Sequence, residues 1–141
     1  MTRAKSSEKG LQQLITAILE TVAPHFGGAL VDISFVTSGK SRQLNQKYRR
    51  QDTATDVLSF PMYTHDDLET VLQEAWLESK EPLLLGSLVL CQEIIQKYAE
   101  EQKKTFDEYL EWSIRHGLKH LLGYDHNPDG SDWFPAKENI L

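Results

Sequence analysis

The sequence predicts an α/β (α+β) fold, a small mixed sheet of three to four strands packed with about five helices in a single domain over residues 1–141. Three observations carry this. Apolar residues recur at helical spacing in several separate segments. Two runs rich in β-formers, residues 55–62 (TDVLSFPM) and 83–91 (LLLGSLVLC), lie between those segments. A chain of 141 residues buries roughly two-thirds of its unfolded surface around one core, and neither an internal repeat nor a low-complexity linker divides it.

Leu11, Leu14, Ile15, Ile18, Leu19 and Val22 have helical spacing, so residues 7–23 read as an amphipathic helix that ends near Pro24 and Gly27-Gly28. Residues 29–36 mix Leu30, Ile33, Phe35 and Val36 with Asp32 and Ser34, a strand with imperfect alternation. Residues 38–48 can form a short helix with Ser38 or Ser41 as N-cap. Residues 55–62 read as a strand, with Pro61 at its end or edge. Residues 64–82 carry six acids and one lysine, with Leu68, Val71, Leu72, Ala75 and Trp76 at helical spacing, and read as a surface excursion containing a helix. The nearly continuous apolar run 83–91 fits a strand buried on both faces. Residues 92–104 and 107–122 read as two helices joined near Thr105-Phe106.

The formal charge is −6, which argues against non-specific coating of nucleic acid, since phosphate binding is driven by clustered cations. One segment is an exception. Residues 37–51 hold Lys40, Arg42, Lys47, Arg49 and Arg50 and no acid, so the rest of the chain carries −11. An acidic body with one basic segment steers a polyanion to one place. The plainer reading of that segment is a solvated helix face. The single cysteine, Cys91, rules out an intramolecular disulfide and fits a reducing compartment, and it reads as a small core residue. No apolar run approaches the roughly 20 residues that span a bilayer, and residues 1–10 lack the apolar centre of a signal peptide. The expectation is a soluble cytoplasmic protein.

The most specific feature is RHGLKHLLGYDH, residues 115–126. His116 and His120 are four apart on an expected helix, about 40° apart around its axis and one turn above one another. That spacing lets two imidazoles converge on one tetrahedral metal. Gly123 stops the helix, favouring the left-handed conformation, and the chain can turn back through Tyr124 and Asp125 to bring His126 to the same metal. Ile114, Leu118 and Leu121 cluster on another side of the helix, so the two histidines are not part of the stripe facing the core. Trp112 lies one turn before His116 and could wall the site. A lone histidine is more often a packed or surface residue, but three of five within eleven residues point to a metal. Zinc suits imidazole nitrogens in a tetrahedral cage, and nickel, copper or iron could also occupy it.

Three histidines leave one position open, the arrangement of a catalytic rather than a structural zinc. An open site holds water whose pKa the metal lowers towards about 7. A zinc protease would read His-Glu-x-x-His, the Glu serving as base; here Gly117 follows His116, which removes that base and allows something to approach the helix closely. Cleavage of a charged phosphodiester needs cations near the metal more than it needs that Glu.

These residues resemble the YbeY family of bacterial endoribonucleases and rRNA maturation factors. His116-Gly-x-x-His120-Leu-Leu-Gly-Tyr-Asp-His126 is similar to its signature almost letter for letter. Asn45-x-x-Tyr48-Arg49 with Asp52 and residues 55–61 (TDVLSFP), and Leu84-Leu85-Gly86 with residues 88–91 (LVLC), resemble two further blocks, so the likeness runs from about residue 30 to the C-terminus. The resemblance implies a zinc-bound α/β fold and a metal-dependent endoribonuclease acting on single-stranded RNA. It also implies a role in 16S rRNA 3′-end maturation, ribosome biogenesis and small-subunit quality control in the cytoplasm. By position it makes His116, His120 and His126 the ligands of one Zn²⁺ per chain, and Arg49 the functional arginine of the cleft. Arg49 could hold the scissile phosphate in a bidentate fork, with Lys47 and Arg50 helping to hold the RNA backbone. The plainer reading of Arg49 is a surface ion pair with an acid such as Asp52. Implied partners are single-stranded rRNA and the small ribosomal subunit with its assembly factors, with no membrane.

The chain departs from the family pattern at Arg50, where Gly is usual, at Gln51 and Ala54, where Lys and Pro are usual, and at Ser87, where Asp is usual. Asp125 and Asp56 are candidates to orient the imidazoles through their second ring nitrogen, or else simple turn caps. Tyr48, Trp112 and Tyr124 can stack on unpaired bases or merely pack. Two other functional classes remain open at this level. One is a zinc-dependent peptidase or other hydrolase; the other is a non-catalytic ribosome-assembly factor with a structural zinc.

Overall fold

The computed structural model describes residues 8–22, 29–68, 70–71, 83–126 and 134–135. The expected helix end at Pro24 and Gly27-Gly28, residues 72–82 of the acidic excursion and the tail from 136 lie outside the described residues.

Helix α1 (Glu8–Val22) turns Leu11, Ile15, Ile18 and Leu19 into the core, with Leu14 at its margin. The Gln12 side chain donates to the Val31 carbonyl at 3.0 Å and ties α1 to the first strand. Strands β1 (Leu30–Phe35), β2 (Val57–Pro61) and β3 (Leu84–Leu90) form a three-stranded sheet in the order β1-β3-β2. β1 runs parallel to β3 and β2 antiparallel to it, so the sheet is mixed, as expected. The most continuous apolar run takes the central place: Leu85, Leu88 and Leu90 of β3 have no exposed surface. Pro61 ends the edge strand β2, where a missing N–H is tolerated. Cys91 is buried and free, but it lies just beyond β3 as the N-cap residue of the next helix rather than within the strand.

Helix α2 spans Ser38–Arg49. Its N-cap is Thr37, not Ser38 or Ser41: the Thr37 hydroxyl accepts from the Lys40 N–H at 3.2 Å. Ser41 is instead buried, donating to the Thr55 carbonyl at 3.1 Å and accepting from the Thr55 N–H at 2.9 Å. Asn45, also buried, donates to the Thr53 carbonyl at 2.8 Å. Two polar side chains of α2 thus clamp the loop that leads into β2. Residues 65–68, 70 and 71 are helical (α3), at the start of the acidic excursion. Helices α4 (Gln92–Glu101) and α5 (Phe106–Leu121) follow β3. α4 stops three residues earlier than expected, because Lys103 adopts a left-handed φ of 57°. α5 begins on a capping box in which the Thr105 hydroxyl accepts from the Glu108 N–H at 3.1 Å and the Glu108 carboxylate accepts from the Thr105 N–H at 2.8 Å.

α5 lies across β2 and β3, and Gly117 sets how closely. A Cβ there would meet Leu88 Cδ2 at 2.7 Å and Ser59 Oγ at 3.1 Å. Ser59 Oγ donates to the Gly117 carbonyl at 3.1 Å from inside the core. The close approach that Gly117 allows is therefore made by the sheet. A two-residue ribbon not anticipated from the sequence, β4 (Tyr124–Asp125) paired antiparallel with β5 (Phe134–Pro135), completes the described elements.

Candidate metal centre

His116 and His120 stand one turn apart on α5 with ring centroids 5.0 Å apart. The helix ends where Leu122 and Gly123 bond back to the Leu118 and His120 carbonyls, and Gly123 takes a φ of +86°. A Cβ at Gly123 would collide with the backbone of His65 at the start of α3, so the bend requires glycine twice over. The reversal through β4 carries the His126 ring to 5.0 Å from His116 and 5.1 Å from His120, centroid to centroid. One ligand nitrogen from each ring lies within 4.8 Å of the others. The Nε2 atoms of His116 and His126 are 3.3 Å apart. Two nitrogens each about 2.05 Å from a tetrahedral zinc would be about 3.3–3.4 Å apart, so this spacing fits one ion. Three histidines can hold a metal here.

The His120 ring is aimed by the backbone. His120 Nδ1 lies 3.1 Å from the Tyr124 carbonyl. A carbonyl can only accept, so Nδ1 carries the proton and the lone pair is left on Nε2, the tautomer a metal needs. Asp125 does not reach a ring through this contact; its carboxylate accepts from the His126 N–H at 2.8 Å and holds the bend itself. Asp56 is buried and accepts from Ser113 Oγ at 2.7 Å and Thr55 Oγ1 at 3.2 Å, linking the start of β2 to α5.

His116 and His120 are kept neutral. Burial pushes both imidazoles down to about 4, helped for His116 by His126, Arg49 and Lys119 and for His120 by His116, His126 and Arg49. At neutral pH both offer lone pairs with no proton to displace, which favours metal uptake. His120 is more deeply buried than a histidine outside the apolar stripe is expected to be, since it is only 7% exposed.

Arg49 is the last residue of α2 and lines the same cavity, of about 310 Å³, as His116 and His120. Asp52, the acid expected as its plain partner, is taken by Arg42 in a bidentate pair at 2.7 and 2.9 Å. Lys47 and Arg50 are exposed and do not line the cavity; Lys47 Nζ sits 5.1 Å from the Tyr48 ring centre. Arg50 caps α2 in the left-handed region, φ 59°, where glycine would be unstrained. Of the three aromatics considered for stacking, Tyr48 packs edge-on against Phe60 and Tyr124 against His65. Trp112 is 49% exposed, lines the cavity and stacks on His116 at 5.0 Å. Ser87 donates to Asp32, its cross-strand neighbour on β1, at 3.3 Å; a second carboxylate there would face the first.

Sequence reasoning missed Ser113, Tyr98, Tyr109 and the Tyr124 carbonyl. Ser113 was legible, since it falls about one turn before His116 and Gly117 on α5. Tyr98 and Tyr109 meet edge-on, 5.8 Å apart, only because α4 packs on α5, and nothing local announces that. Burial, with the nearby Asp56 charge, pushes the Tyr109 phenol up to about 12.

The family model described as Endoribonuclease YbeY matches residues 1–135. A protein named Endoribonuclease YbeY from Bradyrhizobium diazoefficiens is 33% identical over 140 residues, covering 99% of this chain and 73% of that one. A protein of the same name from Cellvibrio japonicus is 35% identical over 136 residues, covering 96% of this chain and 69% of that one. The solution structure of TM1509 from Thermotoga maritima aligns with a TM-score of 0.53 at 28% identity, over 91% of this chain and 76% of that one. The chain belongs to the Endoribonuclease YbeY family.

Proposed function

We propose that this chain is a zinc-dependent endoribonuclease, specific for single strands, that acts in 16S rRNA 3′-end maturation, ribosome biogenesis and small-subunit quality control. Its residues 1–141 act as a single YbeY-like domain, in the cytoplasm where rRNA is made. The carrying observation is the convergence of His116, His120 and His126 beside a cavity that Arg49 also lines. Family membership supports the RNA substrate, since the relatives are named endoribonucleases.

In this reading His116, His120 and His126 hold the zinc, with the His120 ring held in its ligating tautomer by the Tyr124 carbonyl. The bound ion supplies Lewis acidity towards phosphate oxygens and lowers the pKa of bound water. Arg49 holds the scissile phosphate through its planar fork and stabilises its developing charge. Lys47 and Arg50 add attraction for the backbone from the rim, and the acidic remainder of the chain limits binding elsewhere. The small ribosomal subunit and its assembly factors are the partners this role requires. The peptidase alternative lacks support: Gly117 stands where its base would be, packed beneath Leu88 and Ser59.

The experiment is metal analysis of purified protein, followed by incubation with single-stranded and duplex rRNA fragments. Stoichiometric zinc and cleavage of the single strands are expected, both lost in His120→Ala. Metal retained by His120→Ala overturns the ligand set. A metal-ligand variant that folds and still restores rRNA maturation in cells overturns catalysis as the function.

A further inference from the structure

We propose that the cavity beside the three histidines is a guanine-selective base pocket, with Asp56 as the residue that reads the base. This rests on the endoribonuclease reading and names the nucleotide that such an enzyme would hold next to the cut.

Asp56 lines the cavity, yet only 8% of it is exposed. Ser113 donates to one of its oxygens at 2.7 Å and Thr55 to the other at 3.2 Å. Each carboxylate oxygen has two lone-pair directions, so each keeps one after these bonds. Both hydroxyls fix the plane of the carboxylate. An ionised carboxylate only accepts, so a ligand that faces it must donate twice, side by side. Among the RNA bases, guanine alone presents two adjacent donor groups on its Watson–Crick edge, N1–H and the 2-amino group. Adenine and cytosine set one amino group beside an acceptor, and uracil sets one N–H between two acceptors; each of these turns a lone pair towards the carboxylate.

The remaining walls suit a base. Trp112 supplies an exposed indole already stacked on His116, and unpaired bases stack on such faces. Tyr98 and Tyr109 also line the cavity, and a neutral phenol can donate to the guanine 6-oxygen. At about 310 Å³ the cavity is at the small end of ligand sites, which run from roughly 300 to 1,000 Å³, so it suits one nucleotide rather than a length of strand. Arg49 and two of the histidines line the same space, so a base seated there leaves its phosphate beside the cationic and metal-ligating groups.

Calorimetric titration of the zinc-loaded protein with the 5′-monophosphates of guanosine, adenosine, cytidine, uridine and inosine tests this without requiring cleavage. Guanosine monophosphate is expected to bind at least about tenfold more tightly than the adenosine, cytidine and uridine forms. Inosine monophosphate, which lacks only the 2-amino group, is expected to fall well below the guanosine form. Asp56→Asn replaces an accepting oxygen with a donor and is expected to erase the preference while zinc content is unchanged; Trp112→Ala is expected to weaken all five ligands together. Equal binding of guanosine and inosine monophosphates to the wild-type chain overturns the proposal even if Asp56→Asn does not fold. A preference that survives in a folded Asp56→Asn also overturns it. Guanosine selectivity without RNA cleavage keeps the pocket and removes the nuclease reading; cleavage without selectivity does the reverse.

Discussion

The C-terminal end of α5 delivers its functional groups as buried or half-buried neutral rings, fixed by a backbone carbonyl and a glycine bend. The C-terminal end of α2 delivers exposed cations on long stems, with only Arg49 reaching the shared cavity. The two ends work by different physics. A metal needs nitrogens placed to a few tenths of an ångström and stripped of protons, so its ligands must be packed. A polyanion is attracted over several ångströms, so its cations need only be clustered and close. The first kind of site fails when geometry moves; the second fades in proportion to charge.

The sharpest way to break this contrast is to remove a ring. His120→Ala is expected to reduce bound metal to background and to cost more than the roughly 10–100-fold typical of outer partners of a metal site, read by metal analysis and RNA cleavage. Arg49→Ala is expected to leave metal content unchanged while cleavage falls roughly 10²–10³-fold; loss of metal with it would mean the two helix ends are one structural unit. Gly117→Ala would force α5 off β2 and β3 against Leu88 Cδ2, at a cost of about 1–3 kcal/mol in thermal or chemical unfolding, with weaker metal retention.

The pH response separates the two ends as well. Unfolded imidazoles titrate near 6.5, whereas His116 and His120 in the folded chain are pushed down to about 4 by burial and their neighbours. Between those values the unfolded chain binds protons that the folded one refuses. The stability of metal-stripped protein is therefore whole above about pH 6.5 and declines as pH falls towards 4. A flat unfolding profile across that window would show the rings to be solvated. The smallest effect belongs to Arg50. Arg50→Gly relieves the left-handed strain and is expected to raise stability by about 1 kcal/mol. It is also expected to weaken RNA binding slightly and to flatten its salt dependence by about one charge.

Much of this was legible along the chain. The stripe Leu11, Ile15, Ile18, Leu19 announced α1, the run LLLGSLVLC announced the central strand, and the histidine spacing with Gly123 announced the bend that brings the three rings together. The Thr105-x-x-Glu108 box was equally local and marks the start of α5 more sharply than periodicity does. The N-cap of α2 was less so: three hydroxyl residues cluster at its start, and Ser41 is drawn away from capping by Thr55, 14 positions distant.

The sequence by itself determined which residues are the candidates for the chemistry, because helical periodicity, a glycine stop and three imidazoles within eleven positions are short-range facts of a covalent chain. Only the tertiary structure decided which of them share a cavity. Arg49 with His116 and His120, Asp56 and Ser113, Tyr98 and Tyr109 are brought together by helices laid on a sheet, and contacts across such distances follow from the packing of the whole core.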